Sequence, residues 1–249
     1  QSYVALIKDQ IAAGDIYQVN LCRILSADCD QGLHGLANKL QSENPAPYAS
    51  YFKLPDLEIA SASPELFLDR QGDLIKSTPI KGTSATEEFG EKDRAENVMI
   101  VDLMRNDFGS ICESGSVDVP RLLATQAHPG LFHLVSDVTG RLRTSIGWDE
   151  IAKALLPAGS ISGAPKSSAL KTIAKLEKIP RGPYCGVIGW VEGDQAVLSV
   201  AIRVFWSVND GKIHFGTGAG ITWASDAKSE WDETELKANR LISIASGKI

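Results

Sequence analysis

Short alternating runs separated by tight turns constrain this chain more than any other feature. Gln71-Gly72-Asp73 stands between Leu66–Asp69 and Leu74–Ser77. Gly193-Asp194 and Asn209-Asp210-Gly211 separate three more strand-like runs, Cys185–Glu192, Ala196–Val208 and Lys212–Gly216. Turns this tight reverse the chain at once, so the strands they join pair antiparallel. Parallel neighbours would need crossovers of about a dozen residues, and the regular β-α-β alternation that supplies them is missing. Tyr17–Cys22, Tyr48–Lys53, Glu58–Ser61 and Leu131–Val138 read as further strands.

Helical spacing marks residues 3–13, where Val4, Ile7 and Ile11 share a face and Gly14 suits the end. Residues 31–42, 90–106, 148–156, 166–178 and Asp226–Ser246 also read as helices, and Pro165 fits the first turn of the one over 166–178. Helices gather in blocks and hairpins dominate, which predicts an α+β fold of packed antiparallel sheets flanked by helices. The 249 residues are read as one domain, 1–249. A chain this long buries roughly 70–75% of its unfolded surface and needs no disulfide or metal to fold.

No run of 18 apolar residues is present, which predicts no membrane-crossing helix. The opening Gln1-Ser2-Tyr3-Val4-Ala5-Leu6-Ile7-Lys8 lacks a basic stretch followed by an apolar one, so no secretory signal is expected there. It also lacks an initiator Met and enters helical spacing directly, so residues are expected upstream. Lys and Arg number 25 against 31 Asp and Glu, a net charge of −6 that disfavours a nucleic-acid partner. An anionic substrate would have to meet local positive charge. Cys22, Cys29, Cys112 and Cys185 form no C-x-x-C pair. They are expected to be reduced thiols in a cytoplasmic protein, with neither zinc nor a disulfide framework.

Several polar residues admit both a structural and a chemical reading. Lys81, in Pro79-Ile80-Lys81-Gly82-Thr83, is a solvated lysine or a nucleophilic amine, the latter only where burial or a nearby cation frees it of its proton. Glu65, in Ser63-Pro64-Glu65-Leu66, caps a turn or serves as a general acid. Asp93 and Glu96 lie in the first turns of a helix, where carboxylates favourably meet its dipole. Glu230, Glu233 and Lys237 share one side of the last helix, with Glu233 and Lys237 at ion-pair spacing. Two acidic helix faces could instead hold one hard cation, with water and substrate oxygens filling its shell.

Gly216-Thr217-Gly218-Ala219-Gly220 follows a strand and precedes the last helix, where exposed N–H groups could cradle a carboxylate or phosphate. It is not the G-x-G-x-x-G of dinucleotide sites. Arg203, expected mid-strand among apolar residues, snorkels to the surface or clamps a carboxylate. His133 is a core histidine or a site residue. No His pair has metal spacing, and no G-x-S-x-G suggests serine hydrolysis.

Ten segments occur in a telling order. They are Gly14-Asp15-Ile16-Tyr17-Gln18-Val19-Asn20, Ser63-Pro64-Glu65, Pro79-Ile80-Lys81-Gly82-Thr83, Lys92-Asp93-Arg94-Ala95-Glu96-Asn97 and Asp102-Leu103-Met104-Arg105-Asn106-Asp107, then His133-Leu134-Val135-Ser136, Ser162-Gly163-Ala164-Pro165-Lys166, Ala201-Ile202-Arg203, Gly218-Ala219-Gly220 and Glu233-Thr234. From about Gln1 to the C-terminus the chain resembles the chorismate-utilising enzymes. Lys81 narrows the resemblance: anthranilate synthases usually carry Ala there, whereas Lys resembles the aminodeoxychorismate synthase component I branch. Gln18 agrees, because the water-using members tend to place a Lys base at that position. The chain departs from the pattern in a short stretch between Gly82 and Lys92, where Ser84-Ala85-Thr86 replaces the usual basic residues. The family usually carries an N-terminal extension, and none of it is expected within the residues from Gln1 onward.

The resemblance implies a chemistry. Mg²⁺, held by Glu96 and Glu233, would neutralise the ring carboxylate of chorismate, with Asp93 and Glu230 holding its waters. Gly218, Gly220 and Lys237 would share that carboxylate, and Arg203 and Tyr184 would grip the enolpyruvyl carboxylate. Glu65 would protonate the departing C4 hydroxyl while Lys81 attacks C2. Ammonia would then attack C4 and expel Lys81, leaving 4-amino-4-deoxychorismate. His133 would stand near the ring. No Cys here has the flanking glycines of a nucleophile elbow, so a glutamine amidotransferase partner is expected to supply ammonia. The alternatives are an anthranilate synthase component I, which releases pyruvate, and a truncated chorismate-binding subunit without turnover.

Overall fold

The computed structural model of the protein describes residues 2–84, 86–128 and 131–247. In chain order the elements are α1 (Ser2–Ala12), β1 (Gln18–Asp28), α2 (His34–Glu43), β2 (Tyr48–Leu54) and β3 (Leu57–Ser63). Next come β4 (Leu66–Gln71), β5 (Leu74–Thr78), β6 (Ile80–Ser84), α3 (Glu91–Gly109), β7 (Asp118–His128), β8 (Leu131–Arg141) and α4 (Trp148–Leu155). One helical turn, α5 (Gly159–Ser162), leads into β9 (Gly163–Ala164) and α6 (Lys166–Leu176). β10 (Val187–Glu192), β11 (Gln195–Val200), β12 (Val204–Ser207), β13 (Lys212–Ile221) and α7 (Ala227–Ser246) complete the chain. The α+β class with antiparallel sheets and flanking helices is as expected, and among the described residues every strand pair is antiparallel. No described helix is long and apolar enough to cross a membrane.

The chain divides into two units. The first comprises Gln1–Pro64, Ile161–Gly186 and Ala201–Ile249. Its sheet runs β2-β3-β12-β13-β1-β9. Side chains alternate across a strand, so Val19 and Leu21 of β1 and Ala219 and Ile221 of β13 share a face. Ile7 of α1 and Ala169 of α6 pack there. Further along, Phe205, Phe215 and Ala60 meet Leu33, Leu40, Leu241 and Ile244 from the neighbourhood of α2 and α7. Each such aliphatic side chain contributes about 1.5–3 kcal/mol on burial, and that contribution fixes the strand register. The opposite face therefore receives Asn20 and Cys22, paired in register with Gly220 and Gly218.

The second unit comprises Glu65–Ser160 and Val187–Val200. Its sheet runs β10-β11-β4-β5-β8-β6, with β7 on the other side of β8. Asn97, Ile100, Val101, Met104 and Phe108 line the buried face of α3, the three-and-four spacing of a helix laid on a core.

Three expectations change. The strand expected over Ala196–Val208 is two strands in different sheets: β11 pairs with β4 and β10, whereas β12 pairs with β3 and β13. Arg203 is therefore not mid-strand but at the break, with φ +52, and its carbonyl accepts the Ala62 N–H at 3.0 Å. The glycine run is not a loop after a strand, because β13 continues to Ile221 and pairs with β1 along Gly216, Gly218 and Gly220. Lys81 does not follow a strand end but lies inside β6, paired with β8.

Candidate functional site

In the second unit, Glu65 is 3% exposed, and its Oε1 accepts the Ile80 backbone N–H at 3.4 Å. Burial pushes its carboxyl up to about 7, against the smaller lowering effects of the Ser160 hydroxyl, the Lys81 ammonium and the Ile80 N–H. The expected acid and the expected nucleophile are thus electrostatic neighbours. A carboxylic acid near neutrality can donate a proton and take it back.

Gly82, one residue on, has φ +94, and a Cβ there would stand 3.0 Å from the Asp93 Cβ and 3.2 Å from the Leu134 Cβ. Only glycine lets β6 lie this close to the start of α3. Asp93 accepts the Gly90 N–H at 3.2 Å and so closes the N-terminus of α3. Glu96 lies 3.8 Å from the Lys92 ammonium. The fully buried Asn97 locks α3 onto β8. Its amide donates to the Leu134 carbonyl at 3.0 Å, and its Oδ1 accepts the Ser136 hydroxyl at 2.6 Å. Ser136 in turn accepts the N–H of Leu123, which has φ +55. His133 is buried in β8 opposite Thr83 of β6, and its ring stacks on His128 at 5.2 Å.

In the first unit, Gln18 is buried where β1 pairs with β9. Tyr184 is buried, and its ring lies so close to Gly216 that a Cβ there would stand 2.1 Å from it. Lys237 donates to the Gly218 carbonyl at 3.3 Å and pairs with Glu233, the ion pair expected at that spacing. Glu230 is buried and accepts the Ser225 hydroxyl. Burial, and then the charge of Arg240, pull the Arg203 guanidinium down to about 10. Desolvation of that kind makes an anion a favourable companion.

The sequence reading missed three residues. Ser160, whose hydroxyl acts on the Glu65 carboxyl, lies just outside the Ser162–Lys166 motif and carries no signal of its own. Asn97 and Arg181 gave no signal of their partners. Arg181 spans the Ile161 carbonyl at 2.9 Å, the Asn20 carbonyl at 2.8 Å and the Glu177 carboxylate at 2.7 Å.

Asp93, Glu96, Glu230 and Glu233 supply hard oxygen donors of the kind magnesium takes. Among the described residues, no three His, Cys, Asp or Glu side chains gather as a metal cluster by themselves. Asp93 and Glu96 belong to the second unit and Glu230 and Glu233 to the first. Ala85, in the stretch that departs from the family's pattern, lies outside the described residues.

The sequence pattern of the family described as chorismate binding enzyme matches residues 1–243. Aminodeoxychorismate synthase component 1 of Salmonella typhimurium is 37% identical over 244 residues, covering 92% of this chain and 54% of that protein. Anthranilate synthase component 1 1 of Haloarcula marismortui is 36% identical over 254 residues, covering 96% of this chain and 52% of that protein. The crystal structure of anthranilate synthase component I from Streptococcus pneumoniae superposes with a TM-score of 0.88 at 33% identity, over 96% of this chain and 56% of that one. The chain spans about half the length of the curated relatives it matches.

Proposed function

The chain belongs to the chorismate binding enzyme family, and from that premise we propose that it aminates chorismate at C4, as an aminodeoxychorismate synthase component I. The observation that carries this reading is the placement of Lys81 inside β6 beside the buried Glu65. An amine and a protonated carboxylic acid together form a nucleophile and a general acid. In this reading Lys81 Nζ, deprotonated, attacks C2 of the ring. Glu65 gives its proton to the C4 hydroxyl, which leaves as water while the double bond shifts. The Glu65 carboxylate then accepts a proton from the Lys81 nitrogen. Ammonia attacks C4 and the double bond returns as Lys81 departs; Glu65 hands its proton back to the leaving Lys81 nitrogen and then takes one from the new C4 ammonium, leaving the enolpyruvyl group in place.

Arg203 and Tyr184 bind the enolpyruvyl carboxylate. Gly218, Gly220 and Lys237 orient the ring carboxylate, Gln18 lines the site without acting as a base, and His133 stands near the ring. Glu96 and Glu233 would hold Mg²⁺, with Asp93 and Glu230 on its waters. When bound, the ion supplies charge neutralisation for a dianionic substrate. The chain uses free ammonia itself and takes glutamine nitrogen only through an amidotransferase subunit, in the cytoplasm.

The comparable identity to anthranilate synthases favours one rival, formation of the ortho-amine with loss of pyruvate. The test supplies chorismate, Mg²⁺ and ammonium at raised pH and weighs the product. 4-Amino-4-deoxychorismate without pyruvate supports the proposal. Anthranilate with pyruvate replaces it by the rival, and chorismate binding without turnover leaves a non-catalytic subunit.

A further inference from the structure

In the second unit, both strands beside the middle of β8 carry a bulge. Ile80 of β6 pairs with Val135 and Thr83 with His133, so Lys81 and Gly82 together stand opposite the single residue Leu134. Across β8, Arg121 of β7 pairs with Asp137 and Ala124 with Val135, so Leu122 and Leu123 stand opposite Ser136. An extra residue of this kind breaks the ladder locally and re-aims a side chain. Each bulge contains a positive φ, +94 at Gly82 and +55 at Leu123. The β6 bulge interrupts a register that is otherwise continuous. Ser77 of β5 pairs with Val138 and Ile80 with Val135, the same pairing carried across Pro79, and it slips only at Lys81 and Gly82.

One side chain serves both bulges. Asn97, fully buried on α3, donates its amide to the Leu134 carbonyl at 3.0 Å. Its Oδ1 accepts the Ser136 hydroxyl at 2.6 Å, and that hydroxyl oxygen accepts the Leu123 N–H at 3.0 Å. Donor meets acceptor at each link, which fixes the orientation of the amide. Gly82 is clamped as well, since a Cβ there would stand 3.2 Å from the Leu134 Cβ and 3.0 Å from the Asp93 Cβ. Immediately before the bulge, the Ile80 N–H reaches the Glu65 carboxylate at 3.4 Å, and the Lys81 ammonium acts on that same carboxylate. We propose that Asn97 is a positioning residue for Lys81: by holding the Leu134 carbonyl opposite the bulge, it keeps Lys81 out of the regular register and beside Glu65. In the register that ends at Ile80, Leu134 would face Lys81 alone and His133 would face Gly82. A slip of one residue turns side chains to the other face. Loss of the amide leaves the Leu134 carbonyl to the ladder alone and so favours that slip. The inference deepens the proposed chemistry and rests on it only where turnover is read.

The test first reads Lys81 without substrate, metal or turnover. The whole chain and its variants are acylated with trace acetic anhydride at pH 8, and modification of Lys81, Lys76 and Lys92 is followed by mass spectrometry. Lys81 is half-buried, and an amine that leaves a carboxylate becomes less protonated as well as more open. Asn97→Ala should therefore raise Lys81 acylation roughly threefold to tenfold, while Lys76 and Lys92 keep their rates. Ser136→Ala retains the bond from Asn97 to Leu134 and should leave all three rates unchanged, although it too lowers stability. Should Asn97→Ala fail to fold, Asn97→Ser is read in its place. With chorismate, Mg²⁺ and ammonium, the Asn97 variant should lose about 10²-fold in kcat, the effect of a misplacement near 1 Å, with KM held within about twofold. Lys81 acylation that ignores the Asn97 variant, or that rises equally in Ser136→Ala, overturns the inference. Raised Lys81 acylation with undiminished amination upholds the placement and overturns instead the nucleophilic role proposed for Lys81.

Discussion

The Glu65 carboxylate accepts the backbone N–H of Ile80 at 3.4 Å. That contact ties the acid at the head of β4 to the residue preceding Lys81, so the spacing of acid and amine rests on backbone rather than on two free side chains. A backbone donor does not titrate, and the acid keeps its place in either protonation state.

The raised Glu65 carboxyl makes stability depend on pH. The folded protein holds this proton up to about pH 7, whereas an unperturbed carboxyl releases it near 4.5. The contribution is complete below about 4.5 and falls as pH rises to about 7, a loss of roughly 3 kcal/mol at 1.36 kcal/mol per pH unit. Glu65→Gln removes that dependence. Urea unfolding should show the variant gaining on the wild type from pH 5 to pH 8, while its turnover falls by about 10²–10⁴. A stability gap that does not move with pH would mean Glu65 ionises as an exposed carboxyl does.

Lys81→Ala removes the nucleophile and should lower formation of the para-amino product on the order of 10³-fold or more. Lys81→Arg should fail equally, because a guanidinium stays protonated. Intact-mass measurement with chorismate and no ammonium checks the step directly. The wild type should carry a covalent adduct, and neither variant should. Near-normal amination by Lys81→Ala would remove Lys81 from the role.

Chelation should abolish turnover, and added Mg²⁺ should restore it. Glu96→Gln and Glu233→Gln should each weaken Mg²⁺ and chorismate affinity together in calorimetric titrations. Glu233→Gln also breaks the ion pair with Lys237, so Lys237→Met separates the two effects: it should weaken chorismate while leaving Mg²⁺ affinity nearly intact. Turnover untouched by exhaustive chelation would return these carboxylates to the ordinary helix-face reading.

Asn97→Ala strands the Leu134 carbonyl and the Ser136 hydroxyl in a buried site. Each unsatisfied group costs about 1–3 kcal/mol. Denaturant unfolding should show a loss of that order, and Ser136→Ala should lose less. The double variant should be less destabilised than the sum of the two, because they share one bond. Additive losses would mean the two residues act separately.

Most element types were legible because they rest on local chemistry, although β7 (Asp118–His128) was not among those expected. Turn residues at Gly72 and Gly193 and a two-residue period marked hairpins, and apolar residues at helical spacing marked α1. Glu65, Lys81, Asp93 and Glu96 were recognisable by their motifs, each written in a few adjacent residues. β6 was not, because Pro79 and Gly82 weaken any strand signal and its pairing with β8 spans α3 and β7. The apparent single strand around Arg203 also misled, since apolar runs on either side of residues 201–203 look continuous until their partners are known.

Sequence by itself determined what each segment could become, since periodicity, turn chemistry and residue type are properties of neighbours along the chain. Tertiary structure alone decided that Glu65 is dry enough to hold a proton near neutrality, that Asn97 rather than an apolar residue fastens α3 to β8, and that Arg181 reaches the Asn20 and Ile161 carbonyls. Desolvation and hydrogen-bond partners depend on which distant residues exclude water from a group or reach it, and packing sets them only once the whole sheet has found its register.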